Sequence, residues 1–227
     1  SYKPWDTAVD VDGLAPLKPF EGGTELTDLS VECFNRLRPY FGECLSTMKE
    51  MKHLDLESKD GKAPGGFMYP LYEIGVPFIY MNAVGSQRDV VTMVHEGGHA
   101  VHSFLSRDLA MTEFKSTPSE VAELASMSME LLSMDHWDVF YSDDNELKRS
   151  KLEQLEKALE TLPWVAAIDK FQHWIYTTEH TAKERKEQWL KINSKLGNQV
   201  INWEGQENAL AILWQKQLHL YEVPFYY

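Results

Sequence analysis

The chain has 227 residues and a formal net charge of −13, from 35 acidic and 22 basic side chains. That balance excludes recognition through a basic surface, so neither nucleic acid nor an anionic membrane is expected as a partner. There is no apolar run long enough to span a bilayer and no signal-peptide core near Ser1, and Cys33 and Cys44 are the only cysteines; the expectation is a cytoplasmic, reducing setting with buried thiols.

In chain order, the first element expected is helical. Across residues 26–53, Val31, Phe34, Leu37, Phe41, Leu45, Met48 and Met51 recur at helical intervals, with Pro39 as a kink or break. Two strands follow, at 67–72 and 77–84, rich in aromatic and β-branched residues and separated by Glu73-Ile74-Gly75, as a hairpin or as neighbouring strands. The second strand has two readings. It is an ordinary buried strand, or it presents a free edge to which an extended peptide adds through main-chain hydrogen bonds.

A helix is then expected over residues 86–106. Ser86-Gln87-Arg88-Asp89 has the form of a capping box, and Val90, Val91, Val94, Val101, Phe104 and Leu105 repeat at helical spacing, which predicts a largely buried segment. Inside it stands His95-Glu96-Gly97-Gly98-His99. Two histidines four residues apart share one helix face and can reach a single metal ion, while Glu96 is rotated away and can address a water rather than the metal. The plain alternative is two surface histidines on an acidic background. Gly97 and Gly98 together forfeit roughly 2 kcal/mol of helix propensity, a cost best tolerated where a second helix crosses closely.

That second helix is expected over 117–134, with Thr117 as N-cap, Pro118 at the first helical position and Glu120 at the capping-box position. Of Glu113, Glu120, Glu123 and Glu130, Glu123 is assigned as third metal ligand, because it lies one turn inside the helix between the small residues Ala122 and Ala125. Glu130 is read as a carboxylate that orients a ligand. Residues 146–220 read as helical: 147–162 with leucines among charges, a further helix opened by Pro163, a capping box at Thr181 to Glu184, and a last helix from Gln206 to Leu220. No internal repeat is present. The fold class expected is mainly α, a single domain-sized unit over 1–227 with a β-hairpin or short sheet ahead of the histidine helix.

The run from His95 to His102, followed by Ala122-Glu123-Leu124-Ala125-Ser126 and Glu130, resembles the oligoendopeptidase F and thimet oligopeptidase family of zinc metallopeptidases. That family places its third ligand about two dozen residues after the second histidine, and here Glu123 follows His99 by 24. Lys62 to Phe67 and Pro77 to Asn82 are similar to the oligoendopeptidase F branch in order and spacing. The resemblance implies a zincin-like catalytic-domain fragment, one zinc per chain held by His95, His99 and Glu123, Glu96 as general base, and oligopeptide substrates. It also implies a role for His219, and for Tyr226 or Tyr227, as donors to the oxyanion formed during hydrolysis. His102 matches the family pattern, and a fourth ligand would close the open position, so it is read as supporting. The competing function is a zinc-binding scaffold without turnover, lacking a complete substrate channel.

Overall fold

The computed structural model describes residues 1–10 and 13–227. Where the sequence reads as one unit, the chain groups into two: Pro16–Gln154, and Ser1–Ala15 with Leu155–Tyr227.

The first unit begins with α1 (Gly22–Leu37) and α2 (Pro39–Glu50). Arg38 between them is extended, and Pro39 occupies the first turn of α2, where its missing N–H leaves no intrahelical bond unmade. Three strands follow, β1 (Leu54–Glu57), β2 (Gly66–Tyr69) and β3 (Phe78–Ala83), in the spatial order β1-β3-β2. β1 runs parallel to β3, with Leu54 opposite Ile79, and β2 runs antiparallel to it, with Phe67 opposite Tyr80. The sheet adds one strand that the sequence does not predict and decides between the two readings of the second. β1 was not anticipated, because a four-residue strand beside a helix end carries too few residues for a period. β3 is also central and paired on both sides, so it has no free edge; the edge strand facing that choice is β2.

The register of β1 slips between Asp55 and Glu57. Lys62 spans the irregularity: its ammonium donates to the Asp55 carbonyl at 3.0 Å, the Asp55 carboxylate at 3.0 Å and the Glu57 carbonyl at 2.7 Å.

α3 (Gln87–Ser106), the short α4 (Thr112–Lys115) and α5 (Ser119–Ser133) complete the unit, together with the first turns of α6 (Asp144–Thr177). α5 starts differently from the sequence reading. Pro118 is itself the N-cap residue, with extended ψ, and its carbonyl accepts from Val121 and Ala122; no side chain caps the helix. The core gathers Leu26, Phe34, Leu45, Met48, Ile79, Met81, Met93, Val94, Phe104 and Trp137, all nearly or fully buried. Leu105, expected inside, is exposed.

The second unit packs Ile168, Phe171, Trp189, Ile192 and Trp214. The Phe171 ring lies 5.3 Å from that of Trp189 and 5.2 Å from that of Trp214, and the Trp189 indole donates to the Leu210 carbonyl at 2.9 Å. α7 (Ala182–Leu196) is capped by Thr181 and Glu184. Two expectations fail here. Pro163 opens no new helix but lies within α6, since the loss of one N–H leaves the bonds on either side intact. The expected last helix is broken into α8 (Glu207–Ala211) and 3-10 turns at Leu213–Lys216 and Leu218–Tyr221. Among the described residues no helix is long and apolar enough to cross a membrane.

Candidate metal centre

The site is built on α3, whose start is set by Ser86. The Ser86 hydroxyl accepts from the Asp89 N–H at 3.3 Å, and the Asp89 carboxylate accepts from the Ser86 N–H at 2.8 Å and the Val84 N–H at 3.0 Å. These bonds satisfy amides at the helix end that have no partner inside the helix. Two turns on, His95 and His99 project from one face, their rings 4.9 Å apart and nearly perpendicular.

The paired glycines serve two different neighbours. A Cβ on Gly98 would stand 2.9 Å from the Met129 Cβ and 3.0 Å from the Ser126 Cα, so its absence lets α5 cross closely. A Cβ on Gly97 would stand 2.6 Å from the tip of the Phe34 ring, so that glycine accommodates α1. The crossing of α3 by α5 carries Glu123 to the histidines.

Glu123 Oε2 lies 3.4 Å from His95 Nε2, and Glu123 Oε1 lies 3.8 Å from His99 Nε2. One donor atom from each of the three side chains falls within 4.8 Å of the others. The three remain 15–21% exposed, so the cluster is open to water and to a ligand. The Ser126 hydroxyl donates to Glu123 Oε2 at 3.2 Å and restrains its rotation. On the far side of His95, Nδ1 meets Glu130 Oε1 at 2.6 Å, and the Gln154 amide donates to Glu130 Oε2 at 2.6 Å.

The electrostatics favour a cation. Burial disfavours a charged His95, but its bonds to Glu123 and Glu130 and the field of Glu96 outweigh this and raise its pKa to about 10. His99 is held down to about 4, by burial and by the neighbouring His95. Glu123 is lowered: burial opposes this, and the His95 bond and the nearby His95 and His99 charges prevail. One histidine is thus held charged by carboxylates, and a divalent cation among the same three donors would meet that negative field in place of the proton.

Glu96 stands outside the triad. It is 7% exposed, and burial pushes its carboxyl up to about 7 against the pull of His95 and of a hydrogen bond from the Met68 backbone. Met68 belongs to β2, so the edge strand touches the carboxylate set beside the histidines. His102 lies one turn beyond His99, half-buried and outside the triad.

His219 and Tyr226 belong to the second unit, where their rings stack at 4.0 Å and 10°. His219 Nδ1 lies 3.1 Å from the Gln217 amide nitrogen. The fully buried Gln172 holds the chain around Tyr226, donating to the Val223 carbonyl at 3.3 Å and accepting from the Tyr226 N–H at 3.1 Å. Gln154 and Gln172 lie outside every motif the sequence offers, and Ser126 lies within the Ala122–Ser126 run with no role assigned to it. Only Ser126 had a signal, its spacing of three residues from Glu123 on a helix.

Residues 42–227, most of the chain, match the sequence profile of Peptidase family M3, and the chain belongs to that family. It is similar to the oligoendopeptidase F homolog of Borreliella burgdorferi, at 29% identity over 125 residues that cover 54% of this chain and 21% of that protein. It is also similar to oligopeptidase PepF of Bacillus subtilis, at 28% identity over 144 residues, 62% of this chain and 21% of that one. A solved structure of PZ peptidase A with an inhibitor matches its fold with a TM-score of 0.88 and 29% identity, over 99% of this chain and 40% of the other. The matched stretch is about a fifth of the length of those two relatives, and this chain spans about two fifths of PZ peptidase A.

Proposed function

We propose that this chain carries the catalytic centre of a zinc-dependent endopeptidase that hydrolyses oligopeptides. The observation that carries the reading is the convergence of His95, His99 and Glu123 donor atoms within 4.8 Å, with a buried glutamate beside them and outside the set. Two imidazoles and one carboxylate are a donor set that suits zinc and leaves a coordination position open. Bound there, zinc supplies a Lewis acid that polarises the scissile carbonyl and makes water acidic near neutral pH.

The chain's own residues do the rest. Glu96 takes a proton from the attacking water and returns it to the leaving amine; a carboxyl raised by burial toward neutrality suits both halves of that task. Glu130 holds the His95 ring through Nδ1 and leaves Nε2 for the metal. The β2 edge, with Met68 bonded to Glu96, is where an extended peptide adds as a further strand. His219 and Tyr226 are assigned as donors to the oxyanion by family resemblance; their mutual stacking keeps them as a pair. Cytoplasmic placement belongs to the same proposal, and the two buried free thiols accord with it.

A second reading is a zinc-binding scaffold without turnover, for which the converging donors of His95, His99 and Glu123 suffice. Quenched-fluorescent oligopeptides offered to this chain and to a longer one distinguish the two, together with Glu96→Gln. Cleavage by both wild-type chains, lost in Glu96→Gln with zinc retained, supports the peptidase. Cleavage by neither favours the scaffold, and zinc lost along with activity in Glu96→Gln sinks the role given to Glu96.

A further inference from the structure

The start of α6 is inverted relative to an ordinary amphipathic helix. Ser150 and Gln154, one turn apart, are turned inward and nearly inaccessible, whereas Leu152 and Leu155 face outward and are at least half exposed. Burying a glutamine amide in place of a leucine is costly unless the amide is bonded, so a buried Gln154 calls for a partner that justifies it. Its partner is Glu130. The Gln154 Nε2 donates to Glu130 Oε2 at 2.6 Å, and the other oxygen of the same carboxylate meets His95 Nδ1 at 2.6 Å. The helix is held in place for this contact. The Gln87 side chain of α3 reaches the Ser150 carbonyl at 3.5 Å, and the Tyr141 hydroxyl bonds to Gln87 in turn.

We propose that Gln154 is a positioning residue of the metal centre, acting on His95 through Glu130. An amide nitrogen can only donate, so Glu130 Oε2 must accept, and its carboxylate plane is set by a group on a separate helix. With that oxygen fixed, Oε1 is aimed at His95 Nδ1, which must be the donor. The ring orientation that turns Nε2 toward Glu123 and a metal therefore depends on α6 as well as on α3 and α5. The inference rests on the metal-centre reading above for its effect on zinc, but the ordering of His95 does not require metal.

The test uses the whole chain with Gln154→Met, which keeps the volume and removes the donor, and Gln154→Glu, which sets a carboxylate against Glu130. Zinc affinity is read by competition with a chromophoric chelator. The expected result is a loss of about tenfold in Gln154→Met, a larger one in Gln154→Glu, and no further loss when Gln154→Met is added to Glu130→Gln. Wild-type affinity in both single variants, or losses that multiply in the double variant, overturns the proposal. A second readout is metal-free: the downfield proton resonance of His95 Nδ1–H should shift or broaden in Gln154→Met, and in Gln154→Glu should Met fail to fold. An unchanged resonance overturns the positioning role. Absence of zinc binding by the wild-type chain overturns the metal reading alone and leaves this resonance to decide the role of Gln154.

Discussion

Glu96 and Glu130 both approach His95, and their surroundings give them different work. Glu130 is tied at both oxygens, to His95 and Gln154, and so is suited to hold a ring and not to exchange protons. Glu96 is buried with a carboxyl raised from 4.5 to about 7. A base must be ionised to act, so peptide hydrolysis is expected to rise with pH along an acidic limb and to fall away below it. Because burial raises the carboxyl, that limb lies above 4.5; because a bound dication favours the ionised form, it lies no higher than about 7. A pH–rate profile of kcat/KM measures it, and a rate undiminished down to pH 4.5 would contradict the assignment. Glu130→Gln is expected to weaken zinc binding by about 10- to 100-fold while leaving the fold intact. Unchanged affinity in chelator competition would reduce Glu130 to a packing group.

At the scale of elements, the crossing of α3 and α5 decides whether there is a site. Gly98→Ala gains about 1 kcal/mol of helix propensity. The new Cβ meets the Ser126 Cα at 3.0 Å and the Met129 Cβ at 2.9 Å, which are close to backbone and cannot swing aside. The net expectation is destabilisation by about 1–3 kcal/mol, with weaker zinc binding as Glu123 is pushed away from the histidines. Denaturant unfolding and a zinc titration check both halves, and a more stable variant with normal affinity would refute the close-crossing account. Ser86→Ala removes the cap of α3 and should cost about 1 kcal/mol in the same unfolding assay, with the site unchanged once folded.

The caps at Ser86 and Thr181 are visible in four consecutive residues because the bonds they make stay within one turn. Thr117 offers the same kind of signal without the bond, since Pro118 holds an extended ψ and α5 begins only at Ser119. Pro163 misleads for a related reason: a proline marks the loss of one hydrogen bond, and the other bonds of α6 carry the helix through it. β1 was missed because its pairing partner, β3, lies more than twenty residues away.

For the whole molecule, a ligand that binds only the folded chain raises its stability by mass action. Zinc at 100 times its dissociation constant is expected to add about 2.7 kcal/mol. Thermal unfolding with zinc and with a chelator reads this. Glu96→Gln should keep the shift and Glu123→Ala should lose it. A shift retained without Glu123 would remove that residue from the ligand set.

Taken by itself, the sequence determined what depends on neighbours along one helix: the spacing that puts His95 and His99 on one face, the cap that starts α3, the glycines that permit a crossing and the small residues that flank Glu123. It also determined family membership, through motifs whose order is linear. The tertiary structure alone decided which glycine answers to which helix, that β3 and not β2 is enclosed, that the Met68 amide binds Glu96, and that Gln154 reaches Glu130. Those contacts join residues far apart in the chain, and a glutamine that packs inward has the same local sequence as one that faces water.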